Sequence, residues 1–507
     1  MSADAPIPAP PPTTGPDHEP AEGWGREASW VSTTYFAEGL PYALVNNVAD
    51  AMFTLMGASL GTIGLTALFH LPWNLKFLWG PLVDAYETKR TWLWVFELVL
   101  GLLVLLLAFT SSSHAALGVT SVVFVLLAIA SATHDIAVDG YYLEALDEAG
   151  QSRYVGLRVA GHRVATLAGF GGFLMLAGAT SWPVAWTVTA VVLFLLSVGH
   201  ARLLPHAEAR KKPARQLGRA LLGRRGLSIF GLAVALIVLE RKTGVMAGAL
   251  ASTGQALESA LPWTAKISVS GWIGLGLLVG LLVVFALLPR IRRRIERSDS
   301  DFAQAYVTFL EQPGIGRALA FVITFRLGES FLLKMRTPFL LKEVQMSEGE
   351  FGLLTATIGV AATIVASMVG GFLISKGGLR RWIWPFVLSQ NLLNLLYMVV
   401  ALGDPAQTST TTLGFVIIAE NLGSGLGTAV FMVYIMRCAA PSHRAAHMAI
   451  VTALMSVGFT AAGVTSGFIA EAVGYAPYFG FTFLATIPSM LLIPFIPHLD
   501  RAPTAGA

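Results

Sequence analysis

Thr133-His134-Asp135-Ile136-Ala137-Val138-Asp139-Gly140-Tyr141-Tyr142 closes an apolar run that begins near Leu117, so two carboxylates and an imidazole stand at the deep end of a stretch long enough to span a bilayer. A carboxylate inside a membrane helix costs roughly 3 kcal/mol on insertion scales and needs a partner or a water-filled cavity. Asp135 and Asp139 are four residues apart and share one helix face, which is expected to turn toward the interior of a bundle. The plain structural alternative is pairing with basic residues of a neighbouring helix. Asp139 lies about one turn from the helix end, where such pairing is common, whereas Asp135 lies one turn deeper and points to a functional role.

The 507 residues are 55% hydrophobic and 13% charged, with a mean hydropathy of +0.66, which excludes a water-soluble globule. Apolar runs of about 20 residues recur along the chain. The fold class predicted is an all-α polytopic membrane protein, because the runs are too long, and lack the alternation, for barrel strands. A single cysteine, Cys438, excludes an intrachain disulfide and a cysteine-based metal site, and no metal site or cofactor is expected. The net charge of +4 sits mostly in loops and reads as topology information, not as a nucleic-acid footprint.

Taken in order, residues 1–29 read as a disordered cytoplasmic tail, with Pro10, Pro11 and Pro12 in succession and no basic start or apolar core of a cleaved signal. Six helices follow in 30–204, at about 30–56, 62–83, 91–110, 115–143, 155–179 and 183–204. In the first, Glu38, Tyr42, Asn46 and Asp50 recur every four residues, a polar stripe that would line a wet path, and Pro41 permits a kink. In the second, Lys76 lies about 12 Å from Asp84 along the axis, too deep to snorkel easily. It needs a buried anion, and Asp135 is nearest in depth. In the fifth, Arg158 and His162 share a face; Arg163 is placed to meet Asp139 or Asp135, and His162 reads as a hydrogen-bonding core histidine.

Residues 205–225 form a basic linker holding Arg210, Lys211, Lys212, Arg215, Arg219, Arg224 and Arg225, and basic loops stay cytoplasmic. Two apolar segments at about 226–250 and 267–289, ending in a basic run at 290–297, read as an inserted helix pair within 226–297. Six more helices are expected in 298–497, at about 318–341, 351–375, 382–402, 411–438, 446–471 and 477–497, with 498–507 a second cytoplasmic tail. The turn Gly377-Gly378-Leu379-Arg380-Arg381 echoes the turn from Gly80 to Arg90, so the chain is expected to contain two six-helix copies. With the inserted pair, the expected count is about 14 transmembrane helices.

The seventh helix holds Arg326, Glu329, Lys334 and Arg336, and the tenth holds Glu420 and Asn421. Arg326 and Glu329 fall near mid-depth, with Lys334 and Arg336 roughly 24–27 Å in from the inner face and Glu420 roughly 14 Å in from the outer one. One of the two cations is therefore expected to reach Glu420. The blander alternative is that both snorkel to the outer interface. Gly423-x-Gly425-x-Gly427 lacks a preceding strand and reads as a helix packing face, and no Walker-type glycine–lysine loop is present. His134-Asp135 without a positioned nucleophile or metal cluster argues against a membrane transferase.

Repeated halves with buried ionisable residues describe a secondary transporter, not an enzyme. The chain resembles the major facilitator superfamily, and within it the AmpG-like muropeptide permeases and the related acetyl-coenzyme A transporter family. The resemblance rests on Gly39-Leu40-Pro41; Lys76-Phe77-Leu78-Trp79 with Pro81, Asp84 and Tyr86; Asp135-Ile136 with Asp139; Gly161 and Arg163; Arg326-Leu327-Gly328-Glu329; and Glu420-Asn421 with Gly423, Gly427-Thr428-Ala429 and Phe431. It implies a monomeric, proton-coupled importer of anhydro-muropeptides in the bacterial inner membrane, working by alternating access with both termini cytoplasmic. The expected partners are a small-molecule substrate, protons and the lipid bilayer, with no nucleic acid. Acyl-coenzyme A-type or other organic-anion transport, or a sensor that binds without translocating, stays open. Candidate proton-coupling residues are Asp135, Glu329, Glu38 and Asp139. Candidate substrate-binding residues are Lys76, Arg163, Arg326, Lys334, Arg336, Glu420, Asn421, Asn46 and Tyr42, and a gating loop is expected from Gly80, Asp84, Arg90, Arg380 and Arg381.

Overall fold

The computed structural model describes residues 24–76, 79–110, 117–207, 307–438 and 444–499, with a few positions between 212 and 290. The expected inserted helix pair, its basic segment and most of both tails lie outside the described residues. Among those described, twelve helical segments follow one another. In the first half, α1 comprises Trp24–Ala43, a π turn at Leu44–Val48 and Ala49–Leu55; α2 comprises Leu60–Leu65, Thr66–His70, Leu71–Leu75 and, after a break, Gly80–Ala85. α3 is Lys89–Thr110, α4 is Leu117–Ala145, α5 comprises Glu148–Thr166, Leu167–Gly172 and Phe173–Ala179, and α6 is Trp182–Leu203. In the second half, α7 comprises Ile315–Phe325, Leu327–Pro338 and Phe339–Glu343; α8 comprises Glu348–Phe351, Gly352–Gly359 and Val360–Gly377; α9 comprises Leu379–Leu393 and Leu395–Leu402. α10 is Thr410–Cys438, α11 is Arg444–Val473, and α12 comprises Tyr475–Leu484, Ile487–Leu492 and Ile493–Phe495.

Nine helices among the described residues are long and apolar enough to cross a membrane. The segments outside that set are α1, α2 and α7, each interrupted and each carrying ionisable residues, among them Glu38 and Asp50, Lys76, and Arg326 to Arg336. Polarity and broken helical geometry coincide because freed carbonyls and charged side chains need the same thing, a protein or water neighbour in place of lipid. Pro41 has no N–H for the helical ladder, and the π turn of α1 follows one turn behind it. Large exposed side chains such as Leu102, Val119, Leu195, Val399 and Phe415 form the apolar outer surface that faces lipid. The α11–α12 turn passes through Gly474 at φ 78°, a left-handed conformation in which a β-carbon would be strained.

The two halves meet unevenly. At one end they share a single apolar core that joins Phe53, Phe170 and Trp186 of the first half to Phe331, Phe351 and Phe479 of the second. At the other end each half has its own core, around Tyr141 and Tyr154 in the first and around Phe325 and Tyr434 in the second. The shared end is where α1, α5, α7 and α11 finish and α2 and α8 begin. Contacts between the halves there include the Gly61 amide donating to Glu471 Oε1 at 2.7 Å and Lys342 Nζ donating to the Ala58 carbonyl at 3.3 Å. Ser347 and Glu350 make a reciprocal capping box that fixes the start of α8 at this seal.

Glycines let the backbones close. A β-carbon on Gly178 of α5 would stand 2.8 Å from the Gly349 amide of α8, and one on Gly64 of α2 would stand 3.0 Å from the Val464 carbonyl of α11. Overpacking costs about 1–3 kcal/mol, so Gly178→Leu is expected to part the seal and raise the labelling rate of a cysteine placed at buried Ala58 roughly tenfold. The measurement uses a Cys438→Ser background. Unchanged labelling would show that this glycine contact does not hold the end closed.

Candidate functional site

Below the seal, between the halves, lies a cavity of about 550 Å³ lined by α1, α2, α5, α7, α8, α10 and α11. The ionisable residues of the surrounding helices divide into three groups, of which the first and third contribute side chains to its lining. The central one crosses between the halves: Lys334 of α7 lies 2.7 Å from Asp50 Oδ1 of α1 and donates to Thr66 Oγ1 of α2 at 2.6 Å. Thr66 in turn donates to the same Asp50 oxygen at 2.5 Å. Beside it, the His70 ring bridges Asn46 Oδ1 at 2.8 Å and Ser456 Oγ of α11 at 2.9 Å, a second polar tie between halves. Lys334 and Asp50 are both buried, so each compensates a charge that would be expensive alone.

The second group belongs to the first half. Lys76 Nζ pairs with Asp135, the partner that helix depth required. Arg158 of α5 lies 2.8 Å from Asp139, which also accepts from the Tyr35 hydroxyl at 2.9 Å. The Arg158 guanidinium stacks 4.7 Å above the Tyr35 ring. Buried Glu38 sits 3.7 Å from His162 Nδ1 and keeps one carboxylate oxygen without a hydrogen-bond partner. Tyr42 packs its ring against His70, Trp73 and His162, the nearest centroid at 5.2 Å. Three carboxyl groups, Glu38, Asp135 and Asp139, thus meet within one face of α1 and α4 against the two cations Lys76 and Arg158.

The third group lies in the second half. Glu329 pairs with Arg326 and accepts from Gln390 Nε2 at 3.1 Å and Ser424 Oγ at 2.5 Å. Arg336 donates to Glu420 Oε2 at 2.8 Å, and Asn421 Nδ2 donates to the same oxygen at 2.8 Å. Arg336 is buried, which rules out snorkelling to the interface. It is Arg336, not Lys334, that reaches Glu420, because two residues along α7 is a rotation of about 200° and sends the two side chains to different neighbours. Buried Tyr397 stands beside this pair.

Arg163 corrects an expectation. It pairs with neither Asp135 nor Asp139, which Lys76 and Arg158 take, and its side chain lines the cavity. Among the described residues no carboxylate pairs with it, so a guanidinium faces the open volume together with Asn47 and Thr166.

The loop candidates are less uniform. Gly80 opens the short helix Gly80–Ala85, and the Asp84 side chain lies outside the described residues. Arg90 Nε donates to the Leu204 carbonyl at 2.9 Å and another of its nitrogens bonds the Ala201 carbonyl, fastening the α2–α3 turn to the end of α6. The linker joins the same turn: the Glu87 amide donates to the Lys212 carbonyl at 2.8 Å. Arg380 lies in the first turn of α9, and Arg381 lies 5.7 Å from the Trp382 ring.

Sequence reading missed several residues. Asp50 was visible in the α1 stripe, but nothing in its spacing named a partner in α7. Thr66, Gln390 and Ser424 carry no sequence signal beyond polarity inside an apolar run. Glu97 of α3 is completely buried 2.6 Å from His200 Nδ1 of α6 and 3.4 Å from His134 Nε2 of α4. An acidic residue in an otherwise apolar α3 was the available clue to that cluster.

Two helical halves around a charged cavity, sealed at one end, define a membrane transporter of the two-domain type. The chain belongs to the Major Facilitator Superfamily, whose family profile matches residues 31–303 and 319–506. It is a multi-pass membrane transporter and not an enzyme. An uncharacterised protein of Haemophilus influenzae is 23% identical over 484 residues, covering 92% of this chain and 94% of the relative. The anhydromuropeptide permease of Escherichia coli K12 is 24% identical over 467 residues, covering 90% of this chain and 77% of the relative. Among solved structures, a peptide transporter POT in complex with sulfate superposes with a TM-score of 0.64 at 13% identity, covering 95% of this chain and 97% of its own. A POT family transporter in complex with 5-aminolevulinic acid gives 0.61 at 14% identity, covering 95% and 99%. At these identities the structural likeness concerns the fold.

Proposed function

We propose that the chain imports an anionic, medium-sized solute of the anhydro-muropeptide type across the bacterial inner membrane, together with protons, by alternating access. The observation that carries this reading is the unpaired Arg163 facing a sealed cavity in which the other described charged groups are held in pairs. A solute carboxylate that reaches Arg163 gains a charge-assisted hydrogen bond without first breaking an internal one. A volume of about 550 Å³ suits an organic solute, not a bare ion. The similarity to an anhydromuropeptide permease over most of the chain supports the substrate class.

In this reading Asp135 holds the transported proton in one state and pairs with Lys76 in the other. Glu38, Asp139 and Glu329 are the alternative carriers. Arg326, Lys334, Arg336, Glu420, Asn421, Asn46 and Tyr42 shape the solute site and its two walls. The basic residues Arg90, Arg153, Arg380 and Arg381 lie toward the end away from the seal, which the distribution of basic loops places in the cytoplasm. The structure then corresponds to an inward-facing state, with both termini cytoplasmic, of a transporter that works as a monomer.

Uptake of labelled anhydro-muropeptide into vesicles containing the purified chain tests the reading. Accumulation above equilibrium is expected only with an inwardly directed proton gradient. Loss of a hydrogen bond to a charged group costs about 1.5–3 kcal/mol, so Arg163→Gln should raise the half-saturating concentration at least about tenfold. Binding without uptake would identify a sensor. Accumulation of acyl-coenzyme A in place of muropeptide would move the substrate class.

A further inference from the structure

The outer wall of the first half carries a second cavity, of about 660 Å³, between the start of α1 and the end of α6. It is separate from the transport cavity and shares no lining residue with it. Arg26, Ser29 and Thr33 line one side and Arg202 the other, with Val192, Leu195 and Leu196 forming an apolar wall. Arg26 and Arg202 are exposed, and neither forms an ion pair among the described residues. His200 makes part of the floor: its Nε2 meets Thr33 Oγ1 at 3.0 Å and its Nδ1 is held by buried Glu97 at 2.6 Å, so the polar floor is fixed from behind.

We propose that this groove binds the headgroup of an anionic phospholipid, with an acyl chain lying along α6. Two guanidinium groups, one on each side of the groove, complement a phosphodiester, and Ser29 and Thr33 offer hydroxyls to a glycerol headgroup. The apolar wall continues into lipid-facing α6, where Leu195 is 67% exposed. Arg202 stands in the last turn of α6, just before the chain enters its basic linker, at the level where a helix leaves the hydrocarbon. Basic pockets between helices at that level suit lipid phosphates, and a soluble anion would leave the apolar wall without a partner. A bound lipid would clamp α1 to α6, and α1 carries both Glu38 and Asp50 of the transport path.

The test follows the thermal unfolding midpoint of the full-length, detergent-purified chain during titration with phosphatidylglycerol or with phosphatidylcholine of the same acyl chains. Phosphatidylglycerol is expected to stabilise at lower concentration. Removing both cations in Arg26→Gln/Arg202→Gln should raise its half-saturating concentration roughly 30-fold, toward that of phosphatidylcholine. Gly199→Leu fills the groove with its charges intact, since a β-carbon there meets nothing within 4 Å, and should cause a similar loss. Lys376→Gln, elsewhere on the surface, should keep the wild-type response. The proposal is overturned if both groove variants respond like wild type, or if inorganic phosphate stabilises as well as the lipid. It is also overturned if the lipid response emerges only when the acidic tail is neutralised in Asp17→Asn/Glu19→Gln/Glu22→Gln, because the tail would then be the occupant.

Discussion

Asp135→Asn is expected to abolish gradient-driven accumulation while leaving exchange of labelled for unlabelled substrate across the membrane intact. Exchange needs only the loaded carrier to change face, whereas accumulation needs a group that takes a proton on one side and releases it on the other. Asp135 pairs with Lys76, and Glu38 and Asp139 lie on the same polar face, so the cost of its charge depends on whether the Lys76 pair is made. Rearrangement of that pair between states therefore changes proton affinity at a buried position. The Lys76 side chain is 35% exposed, so its ammonium retains access to water when the asparagine removes its partner, and the variant is expected to fold. Lys76→Gln/Asp135→Asn provides a background with neither charge and should show the same split between accumulation and exchange. Continued accumulation against a gradient in Asp135→Asn would transfer the role to Glu38 or Glu329.

Lys334→Met should produce the second large effect, on conformation. The Lys334–Asp50 pair joins α7 to α1 across the halves, beneath the glycine-lined seal. Breaking a buried ion pair by removing one partner costs about 3–5 kcal/mol, chiefly because the other charge is left uncompensated. Asp50 would keep only Thr66, and opening the seal would hydrate it, so the variant favours the opposite-facing state. If that whole cost is released on opening, the equilibrium shifts by more than about 100-fold. The cysteine at Ala58 should then label at near its unfolded-state rate, and half-maximal transport should require more substrate. The exchanged pair Asp50→Lys/Lys334→Asp should recover slow labelling. Slow labelling in Lys334→Met itself would leave the seal to the apolar core and glycine contacts alone.

How far the site could be read in advance depended on which coordinate each residue needed. Depth alone assigns Lys76 to Asp135, and the structure contains that pair. Arg163 is expected at Asp139 or Asp135 and reaches neither, since Lys76 takes Asp135 and Arg158, about 7.5 Å earlier along the same helix, takes Asp139. By depth alone Lys334 and Arg336 compete for one glutamate, but two residues along a helix is a rotation of about 200°, and they serve different halves.

The sequence by itself determined the membrane-helical class, the helices that carry charge and the depth of each charge along its own axis. Those properties follow from composition, run length and a rise of 1.5 Å per residue, all local to one segment. Only the tertiary structure decided that Lys334 closes on Asp50 in the other half, that Arg336 rather than Lys334 holds Glu420, and that Arg163 is left facing the cavity. Partner choice depends on how each helix is rotated about its axis and which neighbour it packs against. That rotation is set jointly by the whole bundle, through close glycine contacts such as Gly178 on Gly349, and no single segment encodes it.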